Sequence, residues 1–263
     1  MARTNTKKNL AGKVVGYTHR KLFLLTAASL LCLVAADRAS AEGVEAKPST
    51  NSIASTNAAV RIKYRPPSTG APSVRLTGGS RGSGDNSIAI DVLAPNDVGL
   101  TTQEQPSLFW YQSAASKAKF ELTLVQENQI KPLVQVIREG NSKPGIQRLR
   151  LSEHGGKLAP GVEYQWVVAL ISDPENRSSD VVASGVIKRV EASAELKKSI
   201  AAATPAGLPG VYAEAGVWYD ALSVLSDRIE VEPENQTLLE SRADLLRQAG
   251  LKVAVASPLA AKN

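Results

Sequence analysis

Cysteine is nearly absent from this chain, which has one, Cys32, among 263 residues. Cys32 lies in an N-terminal apolar run that we expect to be removed, so the remaining protein would have no thiol. This excludes disulfides, thiolate metal sites and cysteine nucleophiles. A lipid anchor is also not expected, because Leu31 stands before Cys32 where a lipoprotein signal has a small residue.

Histidine is also scarce, with His19 near the N-terminus and His154 in a turn. Once His19 is removed, a site with several histidine ligands is impossible, and a Ser-His-Asp triad would have to use His154. We therefore predict no catalytic, cofactor-binding or metal-ligating residue, and a protein that is not an enzyme. Two carboxylates from distant positions could still form a glycoside-hydrolase pair, which sequence spacing does not exclude.

The apolar run from Leu22 to Ala36 spans 15 residues, fewer than the ~20 that a transmembrane helix needs. Basic residues precede it and Ala39-Ser40-Ala41 follows it, an order that is typical of a secretory signal. We predict a signal peptide at residues 1–41, cleaved after Ala41, with no membrane span afterwards. The expected location is the periplasm or exterior of a Gram-negative-type bacterium.

Excess positive charge is confined to this signal. It holds seven of the 31 Lys and Arg residues and one of the 25 acidic residues, so that 24 of each remain. A neutral exported chain lacks the basic face that nucleic acids require. Nucleic-acid binding is therefore not expected.

Residues 42–86 are rich in Ser, Thr, Ala, Pro and Gly and have few periodic apolar residues. This composition cannot bury enough surface to fold, and we predict a flexible leader there and a disordered tail at 252–263. Within the leader, Arg61–Pro67 carries basic residues, a tyrosine and two prolines. We interpret it as a solvated spacer, with docking on an anionic surface or partner as the alternative.

Residues 87–190 contain short β-rich runs separated by turn residues, which predicts an antiparallel β-sandwich. In one run Phe120, Leu122 and Leu124 share a face, while Glu121 and Thr123 share the other. The predicted strands are Ile88 to Leu93, Ser107 to Gln112, Lys119 to Gln126, Leu133 to Arg138, Ile146 to Leu151, Val162 to Ile171 and Val181 to Val190.

The segment Leu158 to Val168 resembles the corner of fibronectin type III and immunoglobulin-like domains in which a Leu-x-Pro-Gly turn leads into a strand opened by tyrosine. The resemblance implies a structural role for Tyr164, whose hydroxyl would bond to upstream backbone. We expect Trp166, Trp110 and Phe109 to form the inter-sheet core, with a carbohydrate-stacking platform as the alternative.

Residues 191–251 change to a helical pattern. Ser193 caps a first helix that ends at Ala202, and Asn235 caps a last helix terminated by Gly250. Between them, a single helix is predicted from the apolar stripe of Val211, Ala215, Trp218, Leu222, Leu225 and Ile229. The last two helices resemble a tetratricopeptide hairpin, in which Trp218 has a structural role. One such hairpin must pack on the sandwich, a preceding helix or another protein.

The stretch Asp173–Asp180 is the most polar of the chain. Its spacing does not fit the calcium-loop pattern. We interpret it as a clasp in which Arg177 pairs with Asp173 or Asp180. The alternative is a partner or ligand loop formed by Asp173, Asn176, Arg177 and Asp180, because binding residues concentrate on loops beside rigid strands.

Four motifs follow one another along the chain: Pro106 to Tyr111, Tyr164 to Trp166, Asp173 to Ser178, and Tyr212 to Leu222. Together they resemble the domain-of-unknown-function 928 family of cyanobacteria and other Gram-negative bacteria, over about residues 62–251. The resemblance implies an exported protein with no established activity. Family members often have a cysteine after a glycine-rich stretch, which here is Gly78–Gly82, and residues 83–86 have none.

These observations predict a mainly β chain with α-helices: a fibronectin-like sandwich at 87–190 followed by a helical hairpin region at 191–251. The expected function is a non-enzymatic protein-interaction or envelope-assembly module, with a protein partner in the cell envelope and no cofactor. The hairpin would serve as a brace or as a docking face. The alternative is a periplasmic hydrolase or binder of envelope carbohydrate.

Overall fold

The computed structural model describes residues 62–67, 88–127, 129–139 and 143–251. Within these ranges the chain forms eight strands in two sheets, followed by four helices. This confirms a mainly β chain with α-helices. The predicted signal peptide, most of the leader and the predicted tail at 252–263 lie outside the described residues.

Seven strands coincide within two residues at each end with the predicted ones, and β2 is additional. The strands are β1 (Ile90–Val92), β2 (Gly99–Thr101), β3 (Ser107–Gln112), β4 (Lys119–Gln126), β5 (Val134–Arg138), β6 (Gly145–Arg150), β7 (Glu163–Ile171) and β8 (Val181–Arg189). One sheet has the order β1-β3-β6, and the other has the order β2-β8-β7-β4-β5. All pairs are antiparallel except β2 with β8, which is parallel.

The buried side chains of both sheets form one contiguous core. Trp110 of β3 meets Phe120 of β4 edge-on, with ring centroids 5.4 Å apart, and Trp166 of β7 is completely buried. The prediction was wrong for Phe109, which alternates with Trp110 along β3 and so points to the opposite face. There the Arg148 guanidinium lies 5.1 Å from the Phe109 ring centroid.

The helices are α1 (Ala194–Ala202), α2 (Leu208–Glu214), α3 (Trp218–Val231) and α4 (Gln236–Gln248). The predicted caps are present: the Ser193 hydroxyl accepts from the Leu196 N–H at 3.1 Å, and Asn235 Oδ1 accepts from the Leu238 N–H at 3.3 Å. None of the described helices is long and apolar enough to cross a bilayer.

The single helix predicted through Val211 and Ile229 is wrong, because Gly216 divides it into α2 and α3. Gly216 adopts φ +75°, a left-handed conformation that side-chain-bearing residues rarely adopt. The Val217 N–H donates to the Tyr212 carbonyl at 2.9 Å, and the Gly216 N–H donates to the Ala213 carbonyl at 3.0 Å. This pair of bonds is the Schellman ending of a helix. The apolar periodicity continues from α2 into α3, and for this reason the sequence pattern did not reveal the break at Gly216.

The first turn of α3 enters the core of the sandwich. Trp218 Nε1–H donates to the Leu93 carbonyl at 2.8 Å, and Trp166 Nε1–H donates to the Tyr219 hydroxyl at 2.9 Å. The contact is so close that a Cβ at Gly99 would lie 2.5 Å from Tyr219 Cε2. The helices and sheets therefore share one core, and α3 packs on the sandwich.

Farther along, α3 is joined to the three-stranded sheet by ion pairs. Arg148 of β6 contacts Asp227 at 2.5 Å and Glu230 at 3.2 Å, and the neighbouring Arg150 contacts Glu230 at 2.8 Å. Because these acids are three residues apart, they lie on one face of the helix. This face of α3 is therefore joined to the three-stranded sheet by ion pairs.

The prediction of a solvated leader was wrong for residues 62–67. Ile62 and Tyr64 are buried in the same core as the helices. An aliphatic and an aromatic side chain two residues apart bury enough apolar surface to offset the entropy of fixing a short segment. The segment therefore docks on this chain's own helices.

Candidate functional site

The polar loop at 173–180, which we interpreted as a clasp with a partner or ligand loop as the alternative, is held by its own hydrogen bonds. Arg177 Nε–H donates to Asp180 Oδ2 at 2.6 Å, and Arg177 Nη2–H donates to Glu121 Oε2 at 2.7 Å. Asp173 does not join them, because its Oδ1 accepts from the Glu175 N–H at 3.0 Å. Asn176 Oδ1 accepts from the Ser178 hydroxyl at 2.5 Å. Arg177 and Asp180 are therefore paired, whereas Asp173 and Asn176 bond to other residues of the loop, and the four side chains do not converge on one point.

Sequence reasoning missed Glu121, which lies on β4 and is 56 residues from Arg177. Glu121 is 11% exposed and also accepts a hydrogen bond from Gln135 on β5. Its place on the polar face of β4 was predicted, but the register that brings it beneath the loop was not. The ion pair between Arg177 and Glu121 therefore clasps this loop, which connects β7 to β8, onto β4.

Glu121→Gln is expected to lower the free energy of unfolding by about 1 kcal/mol at neutral pH. The hydrogen bonds from Gln135 and Arg177 hold the pKa of Glu121 below its ordinary value. The stabilisation is therefore complete above the ordinary pKa and is lost as the pH falls through the lowered pKa. Urea unfolding at several pH values should show the difference between wild type and variant shrinking below about pH 4.

Asp173→Asn is the matched control for this prediction. Asp173 is exposed in the same loop, and an asparagine oxygen can keep the bond from the Glu175 N–H. Its effect should stay within about 0.5 kcal/mol at every pH. If Glu121→Gln behaves identically to this control, the clasp does not stabilise the fold.

The three predicted structural aromatics are all buried. The Tyr164 hydroxyl accepts from the Ala159 N–H at 3.1 Å, across the Pro160-Gly161 turn. Trp166 and Trp218 donate to Tyr219 and to the Leu93 carbonyl, respectively. The Tyr164 hydroxyl and the two indole N–H groups are therefore hydrogen-bonded within the protein.

A cleft of about 230 Å³ lies between the three-stranded sheet and α3, and its lining includes Asp220 and Asp227. A glycosidase would need two available carboxylates. Asp220 instead accepts bonds from Thr101 and Thr102, and Asp227 pairs with Arg148. Both carboxylates are engaged in holding the helix to the sheets. Among the described residues, no group of three or more His, Cys, Asp or Glu could hold a metal ion.

Residues 62–67 lie against the helical region, and we call the surface that they contact the helical groove. Its polar wall is Gln248 of α4, whose side-chain amide binds the segment's backbone at two points. Gln248 Nε2–H donates to the Ile62 carbonyl at 2.7 Å, and Gln248 Oε1 accepts from the Tyr64 N–H at 2.8 Å. The Arg65 N–H donates to the Ala213 carbonyl at 3.1 Å.

Side chains make further contacts beside these backbone bonds. The Tyr64 ring meets the Trp218 ring edge-on, with centroids 5.0 Å apart, and burial raises the pKa of the Tyr64 hydroxyl. Arg65 Nη2 lies 2.7 Å from Glu214 Oε1, and both side chains are 58% exposed. A Cβ at Gly216 would lie 2.8 Å from the Arg65 carbonyl oxygen, so the close approach of the segment requires glycine there.

Sequence reasoning identified the segment as a possible docking motif but did not identify its receptor. Gln248 and Glu214 are ordinary polar residues of helices, and no local pattern distinguishes them. Gln248 lies 186 residues from Ile62 along the chain. Only the fold brings them together.

Comparison with known proteins gives one family. The family model described as Domain of Unknown Function (DUF928) matches residues 76–259. This range covers more than half of the chain and includes the described strands and helices. No curated protein matches the chain.

Proposed function

This chain belongs to the family described as Domain of Unknown Function (DUF928), and we propose from its geometry that it is an exported, non-enzymatic protein-interaction module. Its helical groove binds short linear peptides, and the sandwich holds the helices in place. The family description names no activity, so the proposal depends on the site. The secretory pattern of residues 1–41 supports export, with a partner in the cell envelope.

One observation carries the proposal: the two-point contact of the Gln248 amide with the backbone of residues 62–64. Backbone contacts of this kind provide affinity that does not depend on sequence, while side-chain pockets provide specificity. The groove combines both, because Tyr64 packs on Trp218 and Arg65 pairs with Glu214. An aliphatic-x-aromatic-basic-proline peptide is the ligand that this arrangement fits.

Two features support a non-enzymatic role. Asp220 and Asp227, the carboxylates in the cleft, are bonded to threonines and to Arg148. The polar loop at 173–180 is held by internal bonds. These groups stabilise the unit that presents the groove.

Binding of a synthetic peptide tests the proposal. The probe is a fluorescent peptide of residues 60–68. The receptor is the full chain with Ile62→Ser and Tyr64→Ser, which removes the two buried side chains of its own segment and is expected to release that segment; we call it the emptied variant. We expect saturable binding to this emptied variant. Wild type should bind at least about tenfold more weakly, because its own segment competes at an effective concentration in the millimolar range.

Two controls decide whether the groove is the receptor. Adding Gln248→Ala to the emptied variant should weaken peptide binding by about tenfold or more, because two hydrogen bonds are lost. A peptide of the same composition in scrambled order should not bind. If the scrambled peptide binds equally well, or if Gln248→Ala has no effect, the peptide-binding function is wrong.

We also propose a fibronectin type III or immunoglobulin-like sandwich with a tetratricopeptide-like hairpin. Support for the first comes from the division into β1-β3-β6 and β2-β8-β7-β4-β5 and from the bond between Tyr164 and the backbone of Ala159. Support for the second comes from the pairing of α3 with α4 across the turn at Pro233. In this arrangement the hairpin serves as both brace and receptor.

A further inference from the structure

The contacts of residues 62–67 do not depend on which copy of the chain supplies them. The segment binds Ala213, Glu214 and Gln248, which are 148 or more residues distant in sequence. Each of these three contacts joins the segment to the helical region, and each would be the same if the segment came from another molecule. Whether the groove binds the segment of its own chain or that of another copy therefore depends on the length of the linker and on the protein concentration.

The connection between segment and sandwich is long enough to permit either source. Twenty residues separate Pro67 from Ile88, and an extended chain of that length reaches on the order of 70 Å. A flexible linker of this length would give the groove of the same chain an effective ligand concentration in the millimolar range. At high local density a second copy can match that concentration.

We propose that residues 62–67 of one copy bind the helical groove of a second copy, so that the protein assembles by exchanging its leader segments. This inference rests on the proposed function, and it names the partner as the same chain. The reason for that choice is direct: this segment fits the groove through two backbone contacts, an aromatic contact and an ion pair. Exchange of an identical element between protomers needs no new interface.

A charge swap tests exchange without disturbing the core, because Arg65 and Glu214 are both more than half exposed. In Arg65→Glu the segment and its own groove are both negative, and in Glu214→Arg both are positive. When the two variants are mixed, each leader finds an opposite charge in the groove of the other variant. Intramolecular binding is disfavoured in both chains, and reciprocal exchange is favoured.

Sedimentation velocity near the millimolar range should show each variant alone as a monomer. The equimolar mixture should contain several-fold more dimer than wild type at the same total concentration, since two exposed ion pairs bias the exchange. One chain carrying both Arg65→Glu and Glu214→Arg should behave as wild type. Mixing Lys63→Glu, a change at an exposed neighbouring residue, with Glu214→Arg should give no such increase.

A second mixture of variants should form more dimer than the charge-swap mixture does. The emptied variant (Ile62→Ser, Tyr64→Ser) has a free groove, and Gln248→Ala has an intact leader with a weakened groove of its own. Light scattering after gel filtration should show a one-to-one complex in the mixture and monomers in the separate samples. A mixture that remains monomeric, together with no effect of the charge swap, would overturn exchange.

The two proposals fail in different ways. If the synthetic peptide binds the emptied groove while both mixtures remain monomeric, leader exchange is wrong and peptide binding stands. If the peptide also fails to bind, both proposals are wrong.

Discussion

Replacing Trp218 with alanine is expected to lower the free energy of unfolding by about 3–5 kcal/mol, the range for a buried aromatic side chain. Trp218 is fully buried, and it donates to the Leu93 carbonyl at 2.8 Å. Its ring also supports Tyr64 in the helical groove. The substitution creates a cavity where sandwich, helices and leader segment meet, and it removes the Trp218 hydrogen bond to the Leu93 carbonyl.

Urea unfolding followed by fluorescence and circular dichroism measures this effect. One cooperative transition is expected, because the sheets and helices share a contiguous core. Trp218→Phe is the matched control: it keeps much of the apolar volume and removes the hydrogen bond, and its expected effect is about 1–2 kcal/mol. If Trp218→Ala instead unfolds the helices in a separate early transition, the shared core is not what holds them.

Local sequence patterns predicted most of the elements. Alternation identified β4, and cap residues such as Ser193 and Asn235 located the starts of α1 and α4. These signals work because they depend on neighbouring residues. The strand β2 was missed because its three residues are too few to show alternation, and its parallel pairing with β8 is set by residues more than 80 positions away.

The errors in the prediction share a physical cause, which is competition between a local pattern and a distant contact. A leader with the composition of residues 42–86 resembles a disordered segment, but Ile62 and Tyr64 find a receptor that lies almost two hundred residues later. Gly216 was placed inside a helix because the apolar stripe continued past it. Phe109 was assigned to the inter-sheet core because the position of α3 was unknown.

In the candidate site, too, local patterns were visible in the sequence and distant contacts were not. The stretch Arg61–Pro67 was interpreted from the sequence as a solvated spacer, and docking on a partner was only the alternative. Its receptor was not predictable, because Gln248 and Glu214 have no local signature. The proposed function therefore depends on tertiary structure: a helical pair braced by Arg148 and Asp227 presents an amide to a peptide backbone.

Asp220→Ala is expected to lower the free energy of unfolding by about 2–4 kcal/mol, because it leaves buried donors without their acceptor. Asp220 Oδ1 accepts from the Thr101 hydroxyl at 2.5 Å. Asp220 Oδ2 accepts from the Thr102 N–H at 2.9 Å and from the Thr102 hydroxyl at 2.5 Å. These bonds connect the end of β2 to the first turn of α3, and urea unfolding at constant pH measures their loss.

Asp220→Asn separates the contribution of charge from that of shape. Burial raises the pKa of the Asp220 carboxyl, and the bonds from Thr101 and Thr102 oppose that rise. Because the folded protein holds this proton more tightly than the unfolded chain does, the associated stabilisation is complete below the ordinary pKa and is lost as the pH rises through the raised pKa. Asparagine is uncharged at every pH and can keep part of the hydrogen bonding.

Wild type should therefore exceed Asp220→Asn in stability by the largest margin below about pH 4, and the margin should shrink as the pH rises above the ordinary pKa of an aspartate. This is the opposite of the trend expected for Glu121, whose carboxylate is favoured by the folded state. Measuring both variants over one pH series makes each a control for the other. If the margin for Asp220 grows with pH, the three hydrogen bonds outweigh burial, and the ionised carboxylate is the form that holds β2 to α3.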